Sequence, residues 1–153
     1  MEQRIDYKKI APKSVKGMYE LEKYVADSEL KDSLIQLVKL RASQINGCAY
    51  CIDMHTKDAR QAGETEQRLY ALSAWEESPF YTEKERAALQ WTEVLTRISE
   101  NGVSDELYES VRKHFTEVDL TALTMAIISI NSWNRLAIGF RNIPGSYKPE
   151  LAK

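Results

Sequence analysis

Leu40-Arg41-Ala42-Ser43-Gln44-Ile45-Asn46-Gly47-Cys48-Ala49-Tyr50-Cys51-Ile52-Asp53-Met54-His55 reads as the end of one helix, a reversal, and the start of another. Asn46-Gly47 suits a left-handed C-terminal cap. Upstream, Leu30, Leu34, Leu37, Val38, Arg41 and Ile45 recur at helical spacing, with Lys31, Asp32 and Lys39 on the other side. Downstream, the helix opened at Cys48 is expected to run through Ala59 to Gly63, a second cap. The segment holds both cysteines of the chain and one of its two histidines. On a helix Cys48 and Cys51 lie one turn apart, and His55 lies a further turn on. Residues at that spacing have Cα atoms roughly 5 to 5.5 Å apart, inside the ~4.4–6.8 Å that a disulfide tolerates.

The remaining chain also reads as helices. An extended lead-in is expected from Met1 to Pro12, and Ser14 is placed to cap a helix carrying Val15, Met18, Tyr19 and Leu21 to Val25. Thr65 is read as capping a helix with Leu69, Leu72 and Trp75 or Ala74 inward, broken at Ser78-Pro79. Thr82-Glu83-Lys84-Glu85 has the form of a capping box and opens a helix ending at Asn101-Gly102. Ser104 or Asp105 starts a short helix with Leu107, Val111 and Phe115. Asp119 is read as the cap of a long last helix, Leu120 to about Phe140. Its stripe is Leu120, Leu123, Ile127, Ile130, Asn134 and Ala137, widened by Met125, Ile128 and Trp133. No stretch alternates with a period of two. The expectation is an all-α fold of about seven helices in one domain over 1–153, with irregular ends at about 1–13 and 142–153.

Composition narrows the function classes. Among 153 residues, 43% are hydrophobic, enough to build a core without cross-links. Charges nearly balance to a formal −2, which removes the electrostatic footprint of a nucleic-acid binder or polybasic membrane protein. No apolar run reaches the ~18 residues of a spanning helix, and Met1 to Lys9 carries no secretory apolar core. A cytoplasmic protein without nucleic-acid or membrane partners is expected. In a reducing compartment two cysteines are not a disulfide framework, and so short a loop stabilises by only ~2 kcal/mol. Chemistry is the better use for them.

Counting outward from Asn46-Gly47, Gln36 lies ~10 residues up one arm and His55 ~8 up the other, level to within ~3 Å if the arms pack antiparallel. Gln36 is then the neighbour of His55, and His55 of Cys51. A sulfur nucleophile must be a thiolate, and a helix N-terminus and an imidazole both favour that form. Cys48 feels the helix end most, while Cys51 has the better reach to His55. Spacing leaves the order of roles open. Cys48, Cys51 and His55 supply only three metal ligands, His114 is remote along the chain, and Asp53 points to another helix face. No metal or cofactor is expected.

The quoted stretch, continued through Thr56-Lys57-Asp58-Ala59-Arg60, resembles the core of the carboxymuconolactone decarboxylase family on its AhpD-like alkylhydroperoxidase branch. The resemblance returns at Glu85-Arg86-Ala87-Ala88-Leu89 and Asn131-Ser132-Trp133-Asn134-Arg135-Leu136. It implies an AhpD-like helical fold, a homo-oligomer (trimer or hexamer), and reduction of organic hydroperoxides by the thiol pair. Carried across, Cys51 is the peroxidatic cysteine, Cys48 the resolving one and His55 the proton relay. A dithiol such as a lipoyl group or a thioredoxin-like partner would re-reduce the disulfide. The family's relay glutamate, twelve residues before the first cysteine, is here Gln36, which can hold His55 but neither takes a proton nor offsets an imidazolium. Glu20, Glu76 or Glu77 are candidates to replace that carboxylate. A thiol–disulfide oxidoreductase, a redox sensor and a lactone decarboxylase-like enzyme are the rival functions; C-x-x-C counts against the last. Asn131, Trp133, Asn134 and Arg135 are read as helix-to-helix or subunit contacts ahead of pocket lining, Tyr50 as packing, and His114 as a surface residue.

Overall fold

The computed structural model describes residues 2–149; Met1 and residues 150–153 of the expected irregular tail lie outside them. The elements, in order, are α1 (Tyr7–Ile10), a 3-10 turn (Pro12–Val15), α2 (Lys16–Ala26), α3 (Asp32–Asn46), α4 (Ala49–Gln61) and α5 (Glu66–Ala71). A second 3-10 turn (Leu72–Ala74), α6 (Glu83–Thr96), α7 (Ile98–Asn101), α8 (Asp105–Arg112) and α9 (Glu117–Phe140) complete them. The all-α expectation holds. The seven helices predicted are α2 to α6, α8 and α9. The single turn α7 is the tail of the helix predicted through Asn101, split off at Arg97.

Helix α3 is the axle of the fold and packs against α4, α6 and α9. Leu34, Ile35 and Val38 meet Ala88 and Trp91 of α6 and Leu123 and Ile127 of α9. On another side Leu37 and Leu40 meet Ala59, Leu72 and Leu89. The predicted caps largely form. Gly47 is left-handed (φ 68°), Thr82 and Glu85 make a reciprocal capping box, and Thr65 and Ser104 cap α5 and α8.

Four expectations are corrected. Ser14 does not cap α2: it lies in the first 3-10 turn with its Oγ donating to Ala11 O (2.7 Å), and α2 starts after Val15 without a side-chain cap. The lead-in before Pro12 is not extended throughout. Asp6 caps the one-turn α1 by accepting from Lys9 N (3.2 Å), and Tyr7 is buried with its ring on Phe140 at 5.5 Å. The cap of α9 is Thr116, which accepts from Asp119 N (3.1 Å), so Asp119 sits in the first turn and complements the helix dipole. Lys39, placed by periodicity on a polar outer face of α3, is buried and paired with Glu22 of α2. The α9 stripe from Leu120 to Ala137 is buried as read, whereas Ile128 is exposed. No helix among the described residues is long and apolar enough to cross a membrane.

Candidate active site

Cys48 is the N-cap of α4, in extended conformation, rather than a residue of its first turn. Its Sγ accepts from the backbone N–H of Cys51 (3.3 Å), the part usually taken by a serine or aspartate oxygen. Both cysteines are free thiols and both are buried, walled by Ala42, Ile130 and Ala137. A hydrogen bond from the Cys51 thiol is the largest influence on Cys48. Burial opposes it, but backbone N–H groups of Cys51 and Tyr50 and the Asn134 amide add to it, and the Cys48 thiol is held down to about 7. The same bond, followed by burial and the Cys48 charge, pushes Cys51 far up. The pair therefore ionises as a unit that holds its remaining proton on Cys51.

The reversal at Gly47 brings Gln36 and His55 together as the count predicts. His55 Nδ1 donates to Gln36 Oε1 at 3.0 Å. The amide is oriented from behind, because its Nε2 donates to the Asp32 carboxylate one turn earlier (3.3 Å). An amide oxygen only accepts, so the hydrogen of a neutral His55 sits on Nδ1 and Nε2 keeps its lone pair. That Nε2 is buried and has no partner among the described residues. Burial first, and the nearby Lys39 charge second, lower the His55 pKa to about 3. The imidazole is neutral throughout the ordinary pH range.

Cys51 and His55 open onto a cavity of about 370 Å³ built from α1, α2, α3, α4 and α9, and Cys48 lies behind its wall. Apolar and aromatic groups from Val25, Ile35, Tyr50, Met54 and Trp133 form much of the lining. Its charged members are Lys8, Glu22, Asp32, Lys39 and Asp58. Glu22 accepts from Lys39 Nζ, Ser129 Oγ and Trp133 Nε1 (3.0 Å). Burial works to raise its carboxyl, but the Lys39 charge and these hydrogen bonds outweigh it and keep it below the usual carboxylate range. A buried pair so fully satisfied is tolerated where a lone charge would not be.

Glu20, Glu76 and Glu77 are exposed, and none of them lines the cavity; the glutamate there is Glu22. Asn131 and Asn134 make helix-to-helix contacts, both accepting from Asn46 Nδ2 (3.0 and 2.8 Å), and Asn134 donates to Ser43 Oγ (3.1 Å). Arg135 is exposed and bonds back to the Asn131 carbonyl. Trp133 divides from this set and lines the cavity, as does Tyr50, which also packs against the cysteine cluster. His114 is half-buried just past α8 and borders a separate surface depression. Sequence reasoning missed Tyr7, Glu22, Lys39 and Asn142. The one available signal was indirect: Ser129 and Trp133, polar groups on an apolar helix, needed partners.

Residues 12–94 match the carboxymuconolactone decarboxylase family. Over 142 residues the chain is 49% identical to the uncharacterized protein YdfG of Bacillus subtilis, covering 93% of this chain and 97% of that one. Among solved structures it is similar to ATU0492 of Agrobacterium tumefaciens, a protein of unknown function linked by its name to antioxidant defence as AhpD. That likeness has a TM-score of 0.91 with 46% identity and covers 95% of this chain and 100% of the other. The debrominase Bmp8, solved with 2,3,4-tribromopyrrole, shares the fold at 18% identity and TM-score 0.78, over 89% of this chain and 73% of its own.

Proposed function

We propose that this chain, which belongs to the carboxymuconolactone decarboxylase family, is a dithiol peroxidase that reduces organic hydroperoxides through Cys51 and Cys48. The observation that carries the reading is the asymmetry of the pair. Cys51 borders a largely apolar cavity that His55, with an unpartnered Nε2, also lines, while the more acidic Cys48 sits behind it, already hydrogen-bonded to Cys51. The AhpD-like relative at 46% identity supports it.

Access makes Cys51 the attacking sulfur, and the Cys48 anion is the base positioned to take its proton. The Cys51 sulfur bonds to the outer oxygen of the hydroperoxide as the O–O bond breaks, leaving a sulfenic acid on Cys51 and an alkoxide. The proton held by Cys48 passes to the alkoxide through His55 Nε2, giving the alcohol. The Cys48 thiolate then attacks Cys51 sulfur, forming the disulfide and releasing hydroxide. The sum is dithiol monoanion plus hydroperoxide to disulfide, alcohol and hydroxide. Because Gln36 cannot accept the Nδ1 proton, His55 must return at Nε2 what it receives there. The relay is a shuttle confined to the cavity, and burial keeps the imidazolium transient. A lipoyl or thioredoxin-like dithiol would restore the pair, and the working form would be a homo-oligomer.

The test is turnover of cumene or t-butyl hydroperoxide with a dithiol reductant. Cys51→Ser should abolish it. Cys48→Ser should consume one equivalent of peroxide, slowly, and stop without a disulfide. Full activity in both variants overturns the reading. A wild-type pair that exchanges with dithiols but is not oxidised by stoichiometric hydroperoxide is instead a thiol–disulfide oxidoreductase or redox sensor.

A further inference from the structure

Tyr7 is a tyrosine the lead-in was not expected to bury. Its residue is 6% exposed, its ring rests on Phe140, and it lines the same cavity as Cys51 and His55. Its hydroxyl accepts from Asn142 Nδ2 at 3.2 Å. Among the described residues it makes no other hydrogen bond, so its own hydrogen is uncommitted. Asn142 is fixed in turn. Arg141 adopts the left-handed cap conformation (φ 58°), and Asn142 N donates to Ala137 O at 2.9 Å. The hydroxyl of Tyr7 is thus aimed by a backbone-anchored amide, and its ring is held against Phe140 at a tilt of 41°.

We infer that Tyr7 is a further catalytic residue of the peroxidase reaction proposed above, donating a hydrogen bond to the oxygen that leaves as the O–O bond breaks. The inference rests on that reaction. Its logic is a division of labour inside one cavity. His55 Nε2 presents an acceptor, suited to the hydroperoxide's own O–H, and the Cys51 sulfur takes the outer oxygen. The inner oxygen gathers negative charge and needs a donor. Gln36 faces His55, and Lys39 is committed to Glu22. Lys8, Tyr19 and Tyr50 also bring donors to the cavity, but they are more exposed and no described hydrogen bond fixes them; the phenol of Tyr7 is buried and held by Asn142. Burial raises its pKa and outweighs the opposing Asn142 hydrogen bond, so it stays a phenol beside the thiol pair. Proton delivery to the alkoxide still runs through His55; Tyr7 stabilises the charge before that proton arrives.

The experiment compares two peroxides with aromatic bodies of similar size and leaving groups of very different basicity. Cumene hydroperoxide expels an alkoxide, and peroxybenzoic acid expels a carboxylate that needs little help. Single-turnover oxidation of the reduced protein is followed by loss of free thiol. Tyr7→Phe keeps the ring against Phe140, and its fold is checked by circular dichroism. It should slow cumene hydroperoxide by about 10- to 100-fold and peroxybenzoic acid by no more than about 3-fold. Asn142→Asp, whose carboxylate only accepts, should draw the Tyr7 hydrogen away from the cavity and lower the same rate ratio. Equal slowing of both peroxides, or no slowing of either, overturns the role of Tyr7 and leaves the peroxidase reading standing. Wild-type protein oxidised by neither peroxide overturns both.

Discussion

Acid should destabilise this protein through His55 well before its carboxylates titrate. The imidazole has an ordinary value of 6.5 and a folded value of about 3. Between those values the unfolded chain binds a proton that the folded chain refuses, so stability falls with falling pH. The contribution is fully present above pH 6.5 and is lost progressively as pH drops toward 3. From pH 7 to pH 5 the loss works out at about 2 kcal/mol, and the full window corresponds to about 5 kcal/mol. That is a large share of a typical domain's ~5–15 kcal/mol. The assay is urea unfolding of wild type and His55→Gln at both pH values, followed by circular dichroism. Glutamine has an amide hydrogen for Gln36 and nothing that titrates. Wild type should lose about 2 kcal/mol more than the variant between pH 7 and pH 5. Contributions from carboxylates are common to both proteins and cancel in this difference. Equal losses would show that His55 is charged in the folded state, and the neutral-shuttle mechanism would go with it.

Two further outcomes follow from the same contacts. Gln36→Glu places a carboxylate against Nδ1, so the His55 pKa should rise by about 1–3 units, read by proton NMR, with a faster peroxide reaction. No change in either would mean that this position does not limit the relay. Asn134→Ala removes the donor to buried Ser43 Oγ and one of the two acceptors of half-buried Asn46, and should cost about 1–3 kcal/mol in urea unfolding. It also removes a hydrogen bond that helps hold the Cys48 thiol down to about 7, so the pH midpoint for alkylation of the thiol should move upward relative to wild type; a downward or absent shift refutes the assignment.

The hairpin at the centre of the fold was legible because local signals agree there. The period of Leu34, Leu37, Val38 and Ile45, the Asn46-Gly47 reversal and the cysteine spacing all point to one arrangement, and the residue count placed Gln36 opposite His55. Lys39 was misread for a physical reason. Periodicity sorts residues by polarity, and it cannot distinguish a lysine facing water from one facing a buried carboxylate. Glu22, on a different helix, supplies that carboxylate, and nothing in the spacing of either helix announces the other. Tyr7 and Asn142 stood outside every sequence pattern because they meet only when Arg4 bonds to the end of α9 and closes the two ends of the described chain together. Long-range closure of this kind leaves no local trace.

The glutamine in place of the relay glutamate then reads differently. A carboxylate is present, as Asp32, but it stands behind the Gln36 amide and touches the imidazole only through it. An amide in that position fixes the ring and its tautomer without lending it charge. Lys39, whose positive charge further disfavours imidazolium, pushes the same way. Both features hold His55 neutral, with the Nε2 lone pair unpartnered. A neutral imidazole is a poor store for a proton and a good conduit for one, provided that donor and acceptor face the same nitrogen. Nε2 is the nitrogen that Gln36 leaves free, so the proposed transfer needs Cys51 and the peroxide to meet His55 there. In the proposed mechanism Asp32, Gln36 and Lys39 would together suit His55 to a shuttle, where a glutamate at position 36 would suit it to a reservoir.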